Sequence, residues 1–354
     1  MSPREHSILI CAQHMSEGAG GIAEVARLTA KSLAPRHATR ALACLDRESF
    51  VYEGVPVEAF GGGRLAFVAR AAVAARHASH VVYDFAGTAR AGRFSLGRAR
   101  PSAVWAHGIE VWDEPRFSRL RALRRADLVL VNSEYTRERA SRALQDAARV
   151  RVCALGTASD EAPALVGPSP GRPTVLVFGR VDPGLPKGHD LLIAAWPQVV
   201  DAVPEARLLI AGGGGGLDSA RALAAHSPAV ASIAFSGFVP GGEIEALWRE
   251  ATIMAMPSRK EGFGLVYVEA MRHGVPVVAS TEDAGQEVNL DGVTGFNVPR
   301  DRPYALVDTL VGLLRDRDLC ARLGVQGVRR WRDEYCFSRF DSRLQAAMTD
   351  FLAS

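Results

Sequence analysis

Two glutamates eight residues apart, Glu261 and Glu269, bracket the run EGFGLVYVE, in which Gly262 and Gly264 precede an apolar, helix-like stretch. Glycine lets backbone amides approach an anion closely, and the positive end of a following helix adds to the attraction. A carboxylate at each end accepts hydrogen bonds from hydroxyls, one at the loop mouth and one about two helical turns further on. A phosphate cradle flanked by hydroxyl acceptors suits a sugar nucleotide. The same spacing arises by chance, and Val266, Val268, Ala270 and Met271 also read as ordinary helix core. Upstream, a buried strand Val175–Phe178 leads into Gly179, Arg180, a Pro/Gly loop, then Lys187 and Gly188 before a helix. Two cations flanking a strand-to-helix turn would stabilise the charge that builds on a nucleoside diphosphate as a sugar–phosphate bond breaks. The plainer alternative is a pair of solvated loop charges.

These residues need two sheets to hold them. The chain has 354 residues, 48% of them hydrophobic, which exceeds one ordinary domain and suits two α/β domains with substantial cores. Strand-like runs at 8–12, 40–45, 81–83, 103–106 and 127–131 alternate with helical stretches, and the alternation resumes at Thr174, giving a βα pattern twice over. The Pro/Gly-rich stretch 160–173 reads as the linker, so the expected domains are 1–165 and 166–334 with a cleft between them. In the last segment, 335–354, Phe337, Phe340, Leu344, Met348 and Phe351 fall at helical spacing.

Composition excludes several classes. The N-terminus lacks a long apolar core and no run of eighteen apolar residues occurs, so neither a signal peptide nor a spanning helix is expected, and the protein reads as cytoplasmic. Five scattered cysteines, Cys11, Cys44, Cys153, Cys320 and Cys336, have no zinc or disulfide spacing and read as reduced, buried thiols. The net charge of +3 is uneven: 23 Lys and Arg face 17 Asp and Glu in residues 1–165, against 19 and 22 in the remainder. Arg90, Arg93, Arg98 and Arg100 lie in a loop-like stretch, and Arg116, Arg119, Arg121, Arg124 and Arg125 crowd a short helix with Phe117, Leu120 and Leu123. Such a face suits contact with an anionic membrane at its inner surface, or simply a solvated helix. Nucleic acid is not expected, because aromatics do not alternate with these arginines.

Further candidates lie at other strand ends. Gly18, Gly20 and Gly21 precede a helix bearing Ile22, Val25 and Leu28, forming either a second phosphate loop or a tight packing turn. His107 follows the strand 103–106 at the carboxyl edge of a parallel sheet, where α/β ligands bind. Glu110, Trp112 and Tyr135 are candidates for the border of an acceptor site, and Ser133 is an N-cap. The run AGGGGG, 211–216, signals close backbone approach to a ligand or a flexible surface turn. Asp316 and Asp318 form a D-x-D within LLRDRDLCARL, read as exposed helix, so no metal and no cofactor are expected; the arginine and lysine already supply positive charge.

Taken together, FGR, KG, EGFGLVYVEA and GVPVV resemble the donor domain of the retaining glycosyltransferases of family 4, the glycosyl transferases group 1, densest over 173–299 and weaker in the first half. That resemblance implies the GT-B fold, two Rossmann-like domains facing across a cleft, with the last helix crossing back to the first domain. It implies that Arg180 and Lys187 hold the donor diphosphate, that the loop Glu261, Gly262, Phe263, Gly264 and Leu265 faces the phosphate or transferred sugar, and that Glu269 binds the ribose. The segment 233–239, ending at Val239, would line the nucleobase pocket, Gly20 and Gly21 would cover the donor phosphates, and His107 would contact the transferred sugar. The implied reaction moves a sugar from a UDP- or GDP-linked donor to a lipid-linked or saccharide acceptor in surface polysaccharide or glycolipid assembly, with the anomeric configuration kept. A nucleotide-sugar epimerase on the same fold and a non-catalytic nucleotide-sugar binding protein are the alternatives. A dinucleotide oxidoreductase fits poorly, since G-x-G-x-x-G is missing and Asp46 only approximates the required acid. Where many relatives carry two glycines and Pro-Glu, this chain has Asp283, Ala284, Gly285, Gln286 and Glu287, which bars inferring the donor sugar from them.

Overall fold

The computed structural model describes residues 6–94, 100–108, 110–112, 116–164 and 167–354, without the side chains of Arg93 and Phe94. Arg98 and the Arg93 side chain, part of the expected basic face, therefore lie outside the described residues. The chain divides into two compact units, Met1–Leu155 with Phe340–Ser354, and Gly156–Arg339.

In the first unit, β1 (Ser7–Ala12), β2 (Ala38–Ala43), β3 (Phe50–Tyr52), β4 (Val55–Ala59), β5 (His80–Tyr83), β6 (Ser102–Ala106), β7 (Leu128–Val131) and β8 (Val150–Val152) form one sheet. Their order is β3-β4-β2-β1-β5-β6-β7-β8, and only the β3–β4 pairing is antiparallel. Strands covered on both faces read as continuous apolar runs, and here Leu9, Cys11, Leu42, Trp105 and Leu130 are fully buried. The direction of chain progression reverses between β1 and β5, so the loops leaving those two strands diverge and leave a crevice at the carboxyl edge. The helix Phe337–Leu352 buries Phe340, Leu344 and Met348. Its Asp341 accepts from Ser32 Oγ at 2.6 Å and pairs with Arg36 at 2.8 Å, which fastens it to the helix Gly21–Leu33.

The second unit contains β9 (Thr174–Phe178), β10 (Arg207–Ala211), β11 (Ile233–Gly237), β12 (Ile253–Ala255), β13 (Val277–Ser280) and β14 (Gly295–Val298), all parallel in the order β11-β10-β9-β12-β13-β14. Its reversal falls between β9 and β12. The stretch read as a linker is strapped along this unit: Gly167 N–H donates to His273 O at 2.8 Å and Ser169 N–H to Ala251 O at 2.9 Å. Asp316 and Asp318 do not share one continuous helix. Helix Pro303–Arg315 ends at Asp316, whose carboxylate caps the next helix, Arg317–Arg330, by accepting from Leu319 N–H at 2.8 Å. The leucine periodicity runs on across the junction and masks the break. All five cysteines are buried and free. Among the described residues no helix is long and apolar enough to cross a membrane.

The glycine run approaches the chain's own backbone. Gly179 N–H donates to Ala211 O (3.0 Å), Val181 N–H to Gly213 O (2.9 Å) and Gly216 N–H to Val181 O (2.9 Å), zipping the exit of β10 onto the exit of β9. A Cβ on Gly212, Gly214 or Gly216 would overlap the carbonyls of Gly179, Val181 or Asp182, and Gly212 and Gly214 also hold φ of 132° and 142°. Gly212→Ala is therefore predicted to destabilise by about 1–3 kcal/mol. Gly242→Ala, in the helix Gly241–Glu250 with open space at its Cβ, should be neutral or stabilising by up to about 1 kcal/mol. Urea unfolding midpoints of the two variants check the contrast.

Candidate active site

In the second unit the divergent loops after β9 and β12 carry the sequence-predicted cations and the first glutamate. Lys187 Nζ lies 3.7 Å from Glu261 Oε2, and both side chains are largely shielded, at 26% and 19% exposure. The ammonium sits over the exit of β9, 3.4 Å from the position a Cβ of Gly179 would take. The two loops are tied together, since Arg259 donates through its amide to Pro186 O at 2.9 Å and through Nη2 to Gly184 O at 2.7 Å. Gly188, at φ 85°, lets the helix His189–Ala202 begin against the carbonyl of Pro257, where a Cβ would collide. Arg180 is placed differently from Lys187: it is 72% exposed and paired with Asp182 at 2.6 Å.

Gly264 takes φ 94° as the N-cap of the helix Leu265–Arg272, and a Cβ there would overlap the ring of Tyr267. Gly262 is buried, Leu265 half-buried, and Glu269 half-buried on the same helix. Phe263 does not present its ring as a ligand surface: it is 3% exposed and packs edge-on against Tyr335 at 5.8 Å. Val239 is half-buried beyond β11, and Phe238 of the same segment is 65% exposed beside Gly213.

In the first unit Gly20 caps the helix Gly21–Leu33 at φ 98°, with nothing near its Cβ, and Gly21 opens the helix; both are exposed. His107 leaves β6 stacked on Trp105, with Nε2 2.6 Å from Asp84 O. A carbonyl only accepts, so Nε2 carries the proton and Nδ1 is the acceptor of the neutral ring. Glu110 and Trp112, expected at the border of an acceptor site, are both buried beside His107. Glu110 is fully buried and its Oε2 takes the His107 amide at 3.0 Å. Trp112 is 7% exposed, lies under Gly108 and meets Tyr135 edge-on at 5.5 Å. Tyr135 is half-buried with the Arg139 guanidinium 3.4 Å over its ring. Ser133 caps its helix by accepting from Thr136 N–H.

Two buried aspartates brace the loops of the first unit. Asp46 Oδ2 accepts the amides of Met15 (2.7 Å) and Ser16 (3.0 Å), while Oδ1 meets His14 Nδ1 (2.8 Å), bracing the loop before Gly20. Burial pushes its carboxyl up, but the Met15, His14 and Ser16 hydrogen bonds outweigh that and hold it below the usual range. Asp84, whose backbone holds His107, accepts from Gln13 N–H and Thr88 Oγ1, each at 2.6 Å. Burial raises its carboxyl to about 7 against the opposing Thr88 and Gln13 bonds, with Glu110 adding to the rise.

Residues 172–316 match the sequence family described as glycosyl transferases group 1. A GDP-mannose-dependent alpha-(1-6)-phosphatidylinositol monomannoside mannosyltransferase of Mycobacterium tuberculosis is 32% identical over 271 residues, 70% of this chain and 68% of that protein. Its counterpart in Mycolicibacterium smegmatis is 34% identical over 254 residues, 66% of this chain and 65% of that protein. The chain belongs to the group 1 glycosyltransferases. The matches thus span about two thirds of the length of these relatives. Among solved structures, sucrose-phosphate synthase from Thermosynechococcus elongatus aligns with TM-score 0.82 at 22% identity, covering 98% of this chain and all 100% of that one. Anabaena Alr3699/HepE in complex with UDP-glucose aligns with TM-score 0.81 at 21% identity, over 98% and 100%. These likenesses establish the GT-B fold.

The glycosyltransferase should show an unusual acid dependence of stability. With the folded Asp84 carboxyl raised from 3.8 to about 7, this group is more protonated in the folded state than in the unfolded state across that window, so its contribution to stability falls as pH rises through it. His189 and His273, both lowered by burial to about 4, act in the opposite sense, so the Asp84 contribution is read from the difference between proteins: in urea unfolding from about pH 5 to about pH 8, the stability of wild type relative to Asp84→Asn should fall as pH rises. Identical profiles would refute it.

Proposed function

We propose that this glycosyltransferase transfers a sugar from a nucleoside-diphosphate sugar to an acceptor hydroxyl with retention of configuration, without a metal ion or other cofactor, in the assembly of a glycolipid or surface polysaccharide. The observation that carries the reading is the shielded Lys187–Glu261 pair at the switch point of the second sheet, beside the glycine-capped helix bearing Glu269. The ammonium would take the diphosphate, Glu261 would sit at the sugar end, and Glu269 would accept from the ribose hydroxyls. Arg180, exposed on its loop, would exchange Asp182 for a phosphate oxygen at little cost. His107, with Nε2 committed to Asp84 O, would offer Nδ1 to a sugar hydroxyl. Gly20 and Gly21 would supply open amides over the phosphates, and Val239 with Phe238 would line the base. Tyr135 remains as a residue for the acceptor side.

In the reaction so read, the bond from the anomeric carbon to the diphosphate oxygen breaks with its electron pair going to that oxygen. The acceptor oxygen bonds to the same face of the anomeric carbon, and its proton passes to the leaving diphosphate. Lys187 and Arg180 offset the charge that develops there. The GDP-mannose dependence of the mycobacterial relatives makes GDP-mannose the first donor to test, and their phosphatidylinositol-linked acceptor favours a lipid-linked one.

The basic first unit supports contact with an anionic membrane from the cytoplasmic side. Arg90, Arg100, Arg121 and Arg125 line a cavity of about 1550 Å³ at the amino edge of the first sheet, next to Phe117, which is 70% exposed on the helix Phe117–Arg125. The protein should sediment with vesicles containing phosphatidylglycerol, less so as salt is raised, and not with pure phosphatidylcholine. Equal recovery with both would contradict membrane contact. For catalysis, Lys187→Ala should lower kcat/KM by roughly 100- to 1000-fold while chelators leave wild type unchanged, and proton NMR of the fresh product should show the donor's anomeric configuration. An inverted product would overturn the retaining assignment, and wild-type turnover in Lys187→Ala would overturn the site.

A further inference from the structure

The loop that departs from the family's usual glycines is anchored by one side chain. Asp283 is fully buried. Its Oδ2 accepts from Ser258 Oγ at 2.6 Å and from Glu261 N–H at 2.9 Å, while Oδ1 accepts from Gly285 N–H at 3.0 Å. In the same contact Ala284 N–H donates to Glu261 O at 3.1 Å, so both the backbone N–H and the backbone carbonyl of Glu261 are held. Ser258 is itself buried and lies 3.4 Å from the Tyr267 hydroxyl, which donates to Met256 O at 2.7 Å. Gly285 is required here, since a Cβ would press on the Tyr267 ring and on Asp283 Oδ1. The charged and titratable groups facing this carboxylate are few. Glu261 and Tyr267 come from the loop after β12 and the helix that follows, with Lys187 behind Glu261. Glu282 is adjacent in the chain and lies 3.6 Å from Arg300.

We propose that Asp283 is a positioning residue of the donor site: by accepting from Ser258, Glu261 and Gly285 at once, its carboxylate holds the backbone of Glu261 where that residue's side chain meets Lys187. The inference rests on the reading of Lys187 and Glu261 as donor residues. Only the ionised form accepts all three bonds, because protonation turns one oxygen into a donor facing N–H or O–H groups. Burial is the main force raising this carboxyl, and the neighbouring Glu261 charge adds to it; the Ser258, Glu261 and Gly285 bonds pull the other way, and the balance stands at about 6. The grip therefore loosens as pH falls through a range where an ordinary aspartate stays ionised.

The test measures donor kcat/KM against pH for wild type, Asp283→Asn, Glu261→Gln and the double variant, with nucleoside-diphosphate affinity measured alongside. Asp283→Asn should lose about 10- to 100-fold in kcat/KM, as expected of a small displacement of a reacting group, with nucleoside-diphosphate affinity within about 2-fold. Wild type should show an acid limb near pH 6 that persists in Glu261→Gln, moved to lower pH because the Glu261 charge no longer raises the Asp283 carboxyl, and is missing in Asp283→Asn. The double variant should be little worse than Glu261→Gln, since both act through one group. Wild-type activity and an unchanged acid limb in Asp283→Asn, or fully additive losses, would overturn the inference while leaving the donor site standing. Full activity in Glu261→Gln would instead sink the donor-site reading. Should Asp283→Asn fail to fold, Ser258→Ala, which removes one of the three bonds, decides: a shifted acid limb supports the proposal and an unmoved one refutes it.

Discussion

The second unit depends on how closely two strand exits approach each other. Where Gly212 and Gly214 lie against the carbonyls of Gly179 and Val181, no side chain fits, and three backbone hydrogen bonds replace side-chain packing. That contact fixes the start of the loop that ends in Lys187. The far end is fixed by Gly188 against Pro257 and by Arg259 reaching back to Gly184 and Pro186. A flexible lysine is thereby presented from a rigid base, which lets a point charge act at one place.

Buried carboxylates do the same work at other strand ends. Asp46 follows β2 and collects the amides of Met15 and Ser16; Asp84 follows β5 and collects Gln13; Asp283 follows β13 and collects Glu261 and Gly285. Each is desolvated, yet each accepts from several donors at once, which makes burial of an acid tolerable. The balance differs: hydrogen bonding prevails at Asp46, and desolvation prevails at Asp84 and Asp283. Loops at the carboxyl edges of both sheets are thus held by buried carboxylates.

Much of this was legible in the sequence, and the boundary is physical. Continuous apolar runs identify buried parallel strands, so β1, β6 and β9 stand out, and a glycine pair before an apolar helix marks the Glu261 loop. What the chain alone does not reveal is which polar residue turns inward. Glu110 and Trp112 sit beside His107 in sequence and suggest a shared surface, yet one is buried under the His107 amide and the other under Gly108. Arg180 and Lys187 look alike as loop cations, but Asp182, two residues on, takes the arginine. The aspartates at 46, 84 and 283 each reach loop amides through the fold, at separations of 22 to 71 residues, and no local pattern betrays those contacts. Asp316 is the opposite case, an N-cap visible in the sequence but obscured by leucines that continue the helical period.

The central claim is that Lys187, Glu261 and Glu269 together form a nucleotide-sugar site. Calorimetric titration of GDP, UDP and ADP into wild type and Glu269→Ala tests it most directly. The account predicts selective binding of one nucleoside diphosphate by wild type, weakened by about 1–2 kcal/mol when the ribose acceptor is removed. Binding of all three alike, unchanged in Glu269→Ala, or no binding by the folded protein, would contradict it.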